Sequence, residues 1–238
     1  MTHPPGSGRQ MSTVLFHESP PPQEVAHQVL QLVITNLTDL SLQAVPPSNP
    51  LYELFSWTLP CEVDQYLQRI GQMPKGPVEL IVAYDDVNLG EVVGFLLYLP
   101  VPTHPEACGI TYMAVKHSHR RCGLGTSMMR EVIARYPHVE LTCAVKKVPF
   151  YEQMGFQVID SHHTQVVMNT RSESTQGEMV IVSPEAISQS PQARQIIAKL
   201  VGRLGLKVMA NAEKQLLRQT DQLARQAESY VRTRLTGH

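Results

Sequence analysis

The stretch Met113-Ala-Val-Lys-His-Ser-His-Arg-Arg-Cys-Gly-Leu-Gly-Thr-Ser-Met-Met-Arg130 decides how the rest of the chain is read. Its first residues suit a strand, Gly123 and Gly125 mark a tight turn, and a helix follows. Arg120, Gly123 and Gly125 stand in the spacing Arg-x-x-Gly-x-Gly. Glycine allows a sharp turn and lets a ligand approach the backbone closely. The first N–H groups of a helix have no partner inside it, and the helix dipole favours negative charge there. This junction therefore predicts an anion site built from backbone, of a size for a pyrophosphate, with Arg120 adding a fixed positive charge.

On either side of that junction the chain alternates strand and helix signals. Residues 78–84 and 91–98 are β-rich runs around Asp85-Asp-Val-Asn-Leu-Gly90, which predicts a hairpin. Residues 109–115 are a third strand that feeds the glycine turn. Residues 126–136 form a helix with Met128, Met129, Val132 and Ile133 available for burial, and Pro137 stops it. Residues 139–145 are the next strand, so strand, turn, helix and strand make a βαβ unit with a parallel crossover. Pro149-Phe-Tyr-Glu-Gln-Met-Gly155 reads as a short helix, with proline at its start and glycine past its end. Residues 156–160 and 164–170 then pair as a second hairpin around Ser161-His162-His163.

The two ends differ from this middle. Residues 1–22 are rich in Pro, Gly and Ser and end in Pro20-Pro21-Pro22, so a flexible segment is expected. Residues 23–42 place Val25, Val29, Leu30, Leu32, Val33, Leu37 and Leu40 at helical spacing, and Pro46-Pro47-Ser48-Asn49-Pro50 breaks the pattern. A shorter helix is expected over 62–73. Composition changes again after Ser183. Residues 207–235 carry Val208, Ala212, Leu216, Leu223, Ala227, Val231 and Leu235 on one helical face. That stripe packs either on the chain's own core or on a second copy as a homodimer, and the sequence leaves both open. The expected division is a flexible segment 1–22, a main domain 23–182 and a helical extension 183–238.

Composition narrows the class. The 238 residues are 42% hydrophobic and 17% charged, with a net charge of −1, as in a globular protein. No basic stripe points to nucleic acid. No run approaches the roughly 18 apolar residues of a membrane span, and the first ten residues lack an apolar signal core. The expected location is cytoplasmic. The four cysteines, at 61, 108, 122 and 143, form no Cys-x-x-Cys pair and read as reduced thiols. His162-His163 has no third ligand nearby in sequence, so no metal is expected. His17, His119 and His138 are expected at the surface.

Arg120-x-x-Gly123-x-Gly125 after one strand, joined to Pro149-Phe-Tyr-Glu-Gln-Met-Gly-Phe156 after the next, resembles the acetyl-coenzyme-A-binding core of the GNAT N-acetyltransferases. The spacing Met113-x-Val115-x-x-x-x-Arg120 is similar to that family too. The likeness covers about residues 25–170. It implies an α/β (α+β) fold whose mixed sheet splays between 109–115 and 139–145, flanked by helices. It also implies that acetyl-CoA is the cosubstrate. Its pantetheine arm would lie in the splay against backbone near Met113 and Val115. Its pyrophosphate would sit on Arg121, Cys122, Gly123, Leu124, Gly125 and Thr126, with Arg120 nearby. The chain departs from the family at His117, where proline is common, and at Lys146-Lys147-Val148, which lacks a customary Asn.

The implied chemistry is acetyl transfer to a primary amine by direct attack in a ternary complex. Such a reaction needs a neutral amine, a donor for the oxyanion and a proton for the leaving thiolate. The resemblance gives the last role to Tyr151, whose phenol is protonated at neutral pH, and the oxyanion role to the N–H of Val115. Candidate bases are Glu79, Asp85, Tyr112 and His117, and none stands out. Glu53 and Glu62 could attract a cationic amine, though a solvated surface position is the expectation for both. The acceptor is expected to be a small molecule rather than a protein. A competing reading is a non-catalytic acyl-CoA sensor acting through the C-terminal helix. A dinucleotide oxidoreductase would need a third glycine where Met128 stands.

Overall fold

Residues 79–85 and 92–101 are too apolar to face water on either side. In the computed structural model, which describes residues 11–73 and 75–236, they lie inside a seven-stranded sheet. The strands are β1 (Met11–Phe16), β2 (Glu79–Asp85), β3 (Val92–Val101), β4 (His104–Val115), β5 (His138–Cys143), β6 (Gln157–His162) and β7 (Gln165–Asn169). Their order is β1-β2-β3-β4-β5-β7-β6. Every neighbouring pair is antiparallel except β4 and β5, which run parallel as the crossover through a helix requires.

Helices cover both faces. α1 (Gln23–Thr35), α2 (Leu37–Leu40) and α3 (Tyr52–Arg69) lie on one side, where Val29, Val33, Val63 and Leu67 meet Leu80, Val82, Phe95 and Leu97. α4 (Leu124–Arg135) lies on the other, where Met128, Met129 and Val132 meet Ile81, Leu96 and Val139. Those three α4 side chains are fully buried, and each contributes about 1.5–3 kcal/mol by leaving water. α5 (Val148–Glu152) follows β5, and α6 (Pro184–Ser188), α7 (Pro191–Leu204) and α8 (Leu206–Thr236) follow β7.

β4 and β5 pair only from Ala107 to Ile110 against His138 to Leu141. Beyond that they part, and among the described residues the edge of β4 from Thr111 to Val115 that faces β5 has no strand partner. A bulge causes the parting. Against β3, Tyr98 pairs with Ile110 and Leu97 with Tyr112, so Thr111 is a surplus residue. An extra residue bends and twists its strand. It also breaks the alternation of side chains: Ile110 packs on the α4 side, and Tyr112, two residues on, packs on the α3 side.

Several expectations need correction. The segment 1–22 is not uniformly flexible: residues 1–10 lie outside the described residues, and Met11–Phe16 form edge strand β1, paired with β2 from Met11↔Asp85 to Phe16↔Leu80. The helix expected at 62–73 starts ten residues earlier, at Tyr52. Asn49 accepts from the N–H of Leu51 at 2.9 Å and sets up that start, and Pro60 is accommodated inside the helix although it supplies no backbone donor there. His119 and His138 are each 5% exposed rather than at the surface. His119 Nε2 lies 3.2 Å from Asp85 Oδ2, and His138 lies against Thr175 and the Glu173 carbonyl.

The stripe of α8 is covered within the chain. Ala212, Leu216, Ala227 and Val231 are buried, whereas Val208 and Leu235 are exposed. The first half of the helix joins the α3 side of the core and the second half the α5 side. Asn49 Nδ2 donates to the Ala212 carbonyl at 3.0 Å, and Gln219 Nε2 donates to the Ala44 carbonyl at 2.8 Å. Among the described residues, no helix is long and apolar enough to cross a membrane.

Candidate active site

The glycine turn opens the α4 helix as the sequence predicts. Arg121 and Gly123 adopt left-handed backbone, with φ of 63° and 83°. Gly123 caps α4 without any side-chain cap, and the first helical bond runs from Ser127 N–H to its carbonyl at 2.9 Å. The N–H groups of Leu124, Gly125 and Thr126 are thus the orphan donors of a twelve-residue helix. Arg121, Cys122 and Gly123 are exposed around them, and the Leu124 side chain is buried beneath. A Cβ on Gly125 would lie 3.5 Å from the ring of Phe150, so the turn and α5 are neighbours.

Arg120 does not point its charge freely at that turn. Its guanidinium donates to Asn36 Oδ1 and reaches Asp39 Oδ2 at 3.4 Å, and its Nε donates to the Val115 carbonyl at 3.3 Å. Asp39, on α2, also meets Lys146 Nζ at 3.3 Å. Burial alone would raise the Asp39 carboxyl, but Lys147, Lys146 and Arg120 outweigh it and hold the group below its ordinary value. Lys147 is lowered, chiefly by burial, with Asp39 opposing the shift.

Met113, Val115 and Arg120 line a channel of about 240 Å³ together with Asn36, Lys147, Phe150 and Tyr151. The channel lies where β4 and β5 have parted. It meets a wider cleft of about 410 Å³, and Met113, Lys147 and Tyr151 line both. Tyr151 is 6% exposed, and among the described residues its hydroxyl has no hydrogen-bond partner. Burial pushes its phenol well above the ordinary value, so it holds its proton at any physiological pH. It is framed edge-on by Phe150 and Phe156, with ring centroids 5.0 and 5.8 Å away.

The candidate bases separate. Glu79 accepts from Tyr98 Oη at 2.6 Å, Tyr136 Oη at 2.8 Å and Arg135 Nη2 at 3.0 Å, outside both cavities. Asp85 holds His119 and the N–H of Val87 in the β2–β3 turn. His117 lines neither cavity. Only Tyr112 lies in the cleft, and its hydroxyl donates to Glu62 Oε1 at 2.7 Å. Glu53, as expected, is exposed and pairs with Arg203. Glu62 is not: it is half-buried in the cleft wall, and burial raises its carboxyl above the ordinary value. Glu62 and Tyr66 stand four apart on α3 and both line the cleft.

The start of the C-terminal extension and the two residues before it also reach this cleft. Ile181, Val182, Pro184, Ile187 and Ser188 line it, and Tyr66 Oη accepts from Val182 N–H at 2.9 Å. A shallower groove of about 700 Å³ runs along α8 beside Val145 and includes none of the expected site residues.

A parallel pair that parts at a bulge, beside a helix start with open amides, is the splayed mixed sheet expected from the sequence. A family model described as an acetyltransferase (GNAT) domain matches residues 77–158. In structure the chain is similar to an acyl-CoA N-acyltransferase from Pseudomonas aeruginosa, with a TM-score of 0.50 and 16% identity over 68% of this chain and 100% of that one. It is also similar to the PaiA N-acetyltransferase from Thermoplasma acidophilum, solved with coenzyme A, with a TM-score of 0.51 and 12% identity over 67% of this chain and 99% of that one. No curated protein matches the chain in sequence.

Proposed function

We propose that the protein is an N-acetyltransferase that moves an acetyl group from acetyl-CoA to a small primary amine by direct attack in a ternary complex. The observation that supports this most is the channel itself, because the unpaired edge of β4, Arg120 and Tyr151 border it, and Phe150, which also lines it, lies against the start of α4 at Gly125. The transfer unit is residues 23–182 with edge strand β1 added to its sheet, and 183–238 form a helical extension of it.

Acetyl-CoA brings an acetyl group already activated as a thioester. The amides of residues Arg121 to Thr126 hold its diphosphate at the start of α4. The strand edge at Met113 and Val115 offers backbone groups to the pantetheine arm, in the manner of an added strand, and the N–H of Val115 serves the oxyanion. The Tyr151 hydroxyl gives its proton to the sulfur as the thiolate leaves.

Replacing Tyr151 with Phe tests this reading. Thiol release should fall by about 100-fold or more, while coenzyme A affinity measured by calorimetry stays within about twofold. Equal turnover in the variant removes Tyr151 from the mechanism, and failure of the parent protein to bind coenzyme A removes the reading altogether.

A further inference from the structure

The cleft beside the channel has walls that specify a ligand. Phe55, Leu59, Ile181 and Ile187 supply apolar surface, and the only charged residues among those lining it are Glu62, Asp39 and Lys147. Asp39 is already matched by Lys146, Lys147 and Arg120. Among the described residues no arginine lines the cleft, so none there presents the forked donor that holds a carboxylate. Glu62 is different from every other charge in the wall. A carboxylate has about four acceptor sites, and Tyr112 fills one.

We propose that this cleft is the acceptor subsite, that Glu62 receives the ammonium of the acceptor and takes its proton, and that the acceptor is an alkyl- or arylalkylamine without a carboxylate. The proposal rests on the acetyl-transfer reading above. Position supports it first. Tyr112 adjoins Met113 in β4, and Tyr151 lines both cavities, so an amine held at Glu62 stands beside the end of the cofactor channel. An acceptor carboxylate there would find Lys147 alone, which already faces Asp39, and its burial would cost several kcal/mol. The segment 181–188 closes the apolar side, which gives the extension a share in specificity.

The proton balance is complete. One proton passes from the ammonium to Glu62 and on to solvent, leaving a free lone pair. The N–C bond forms, the nitrogen sheds a second proton, and the C–S bond breaks. The sulfur takes the Tyr151 proton, and the second proton restores Tyr151. The products are amide, free thiol and one released proton.

The groups facing Glu62 come from three elements: Tyr66 one turn along α3, Tyr112 from β4, and Glu185 from α6. Burial is the main influence raising Glu62, the like charge of Glu185 adds to it, and the Tyr112 hydrogen bond opposes it. The rate should therefore rise with pH as Glu62 loses its proton. Two substitutions should move that acidic limb of kcat/KM in opposite directions. Tyr112→Phe removes the donor and shifts it upward. Glu185→Gln removes the like charge and shifts it downward. A purely structural role predicts no such opposed shifts.

The experiment measures binding of phenethylamine, hexylamine, phenylalanine and lysine by calorimetry in the presence of free coenzyme A, alongside thiol release from acetyl-CoA. The simple amines should bind, and phenylalanine should bind at least about tenfold more weakly than phenethylamine. Glu62→Gln should weaken amine binding by about 10- to 100-fold and leave coenzyme A affinity unchanged. Tighter binding of the amino acids, unchanged amine binding in Glu62→Gln, or coenzyme A binding with no affinity for either simple amine each overturns the proposal. Absence of coenzyme A binding instead overturns the acetyl-transfer reading on which it stands.

Discussion

Glu62 and Glu79 are both carboxylates drawn into the protein beside tyrosines, and they show how partner number separates structure from chemistry. Glu79 is closed on all sides: Tyr98, Tyr136 and Arg135 all donate to it, and burial with its hydrogen bond pushes Tyr98 far above the ordinary phenol value. It ties β2 and β3 to the end of α4. Glu62 has a single tyrosine, an open cleft in front of it and a raised carboxyl. A saturated carboxylate has no acceptor site left for a ligand. An unsaturated one held partly out of water is poised to receive a cation and a proton.

The largest difference between the two should appear in catalysis. Glu62→Gln should lower kcat/KM for the amine by about 100-fold, with the urea midpoint almost unmoved; a variant that unfolds early but turns over normally would reverse the assignment of the two glutamates. Glu79→Ala should do the opposite. It leaves Tyr98, Tyr136 and Arg135 without their acceptor, which costs about 2–3 kcal/mol in urea unfolding, while the kinetic constants of the folded enzyme stay as they were. A smaller effect is expected at the anion turn. Gly123→Ala has room for its methyl but not for its left-handed backbone, so it should cost about 1–2 kcal/mol and weaken coenzyme A binding without touching amine affinity. Smallest of all is Glu53→Gln. Its pair with Arg203 is exposed on both sides, and stability should change by less than about 1 kcal/mol, shrinking further as salt is added.

The sequence was most legible where local signals agreed with the final packing. The glycine turn, the β2–β3 hairpin, the parallel crossover and the Pro149-to-Gly155 helix all carry their own punctuation, and each is where it was expected. Strand β1 was hidden because six β-suited residues sit among prolines and glycines, and it exists only through its pairing with β2. The start of α3 was hidden by Pro60, whose helix-breaking signal is overridden by the burial of Val63, Leu67 and the proline itself. Glu62 was named in the sequence as a carboxylate for a cationic amine, but on a short surface helix it looked solvated, and its half-buried place in the cleft wall was not visible. The role of the extension was invisible for another reason: Val182 and Ile187 reach the cleft from more than a hundred residues away, through a hydrogen bond to Tyr66 that no periodicity encodes.

The extra residue at Thr111 carries one more consequence. Because it reverses the strand's frame, Tyr112 packs on the α3 side and Met113 on the α4 side as immediate neighbours along one peptide. On the acetyl transfer proposed above, the spacing between the two reactants is gauged by a single rise of strand, about 3.3 Å, on a strand anchored by its pairing with β3. Loops and helices on either side can breathe without changing that interval, much as two marks scribed on one ruler keep their separation however the ruler is held.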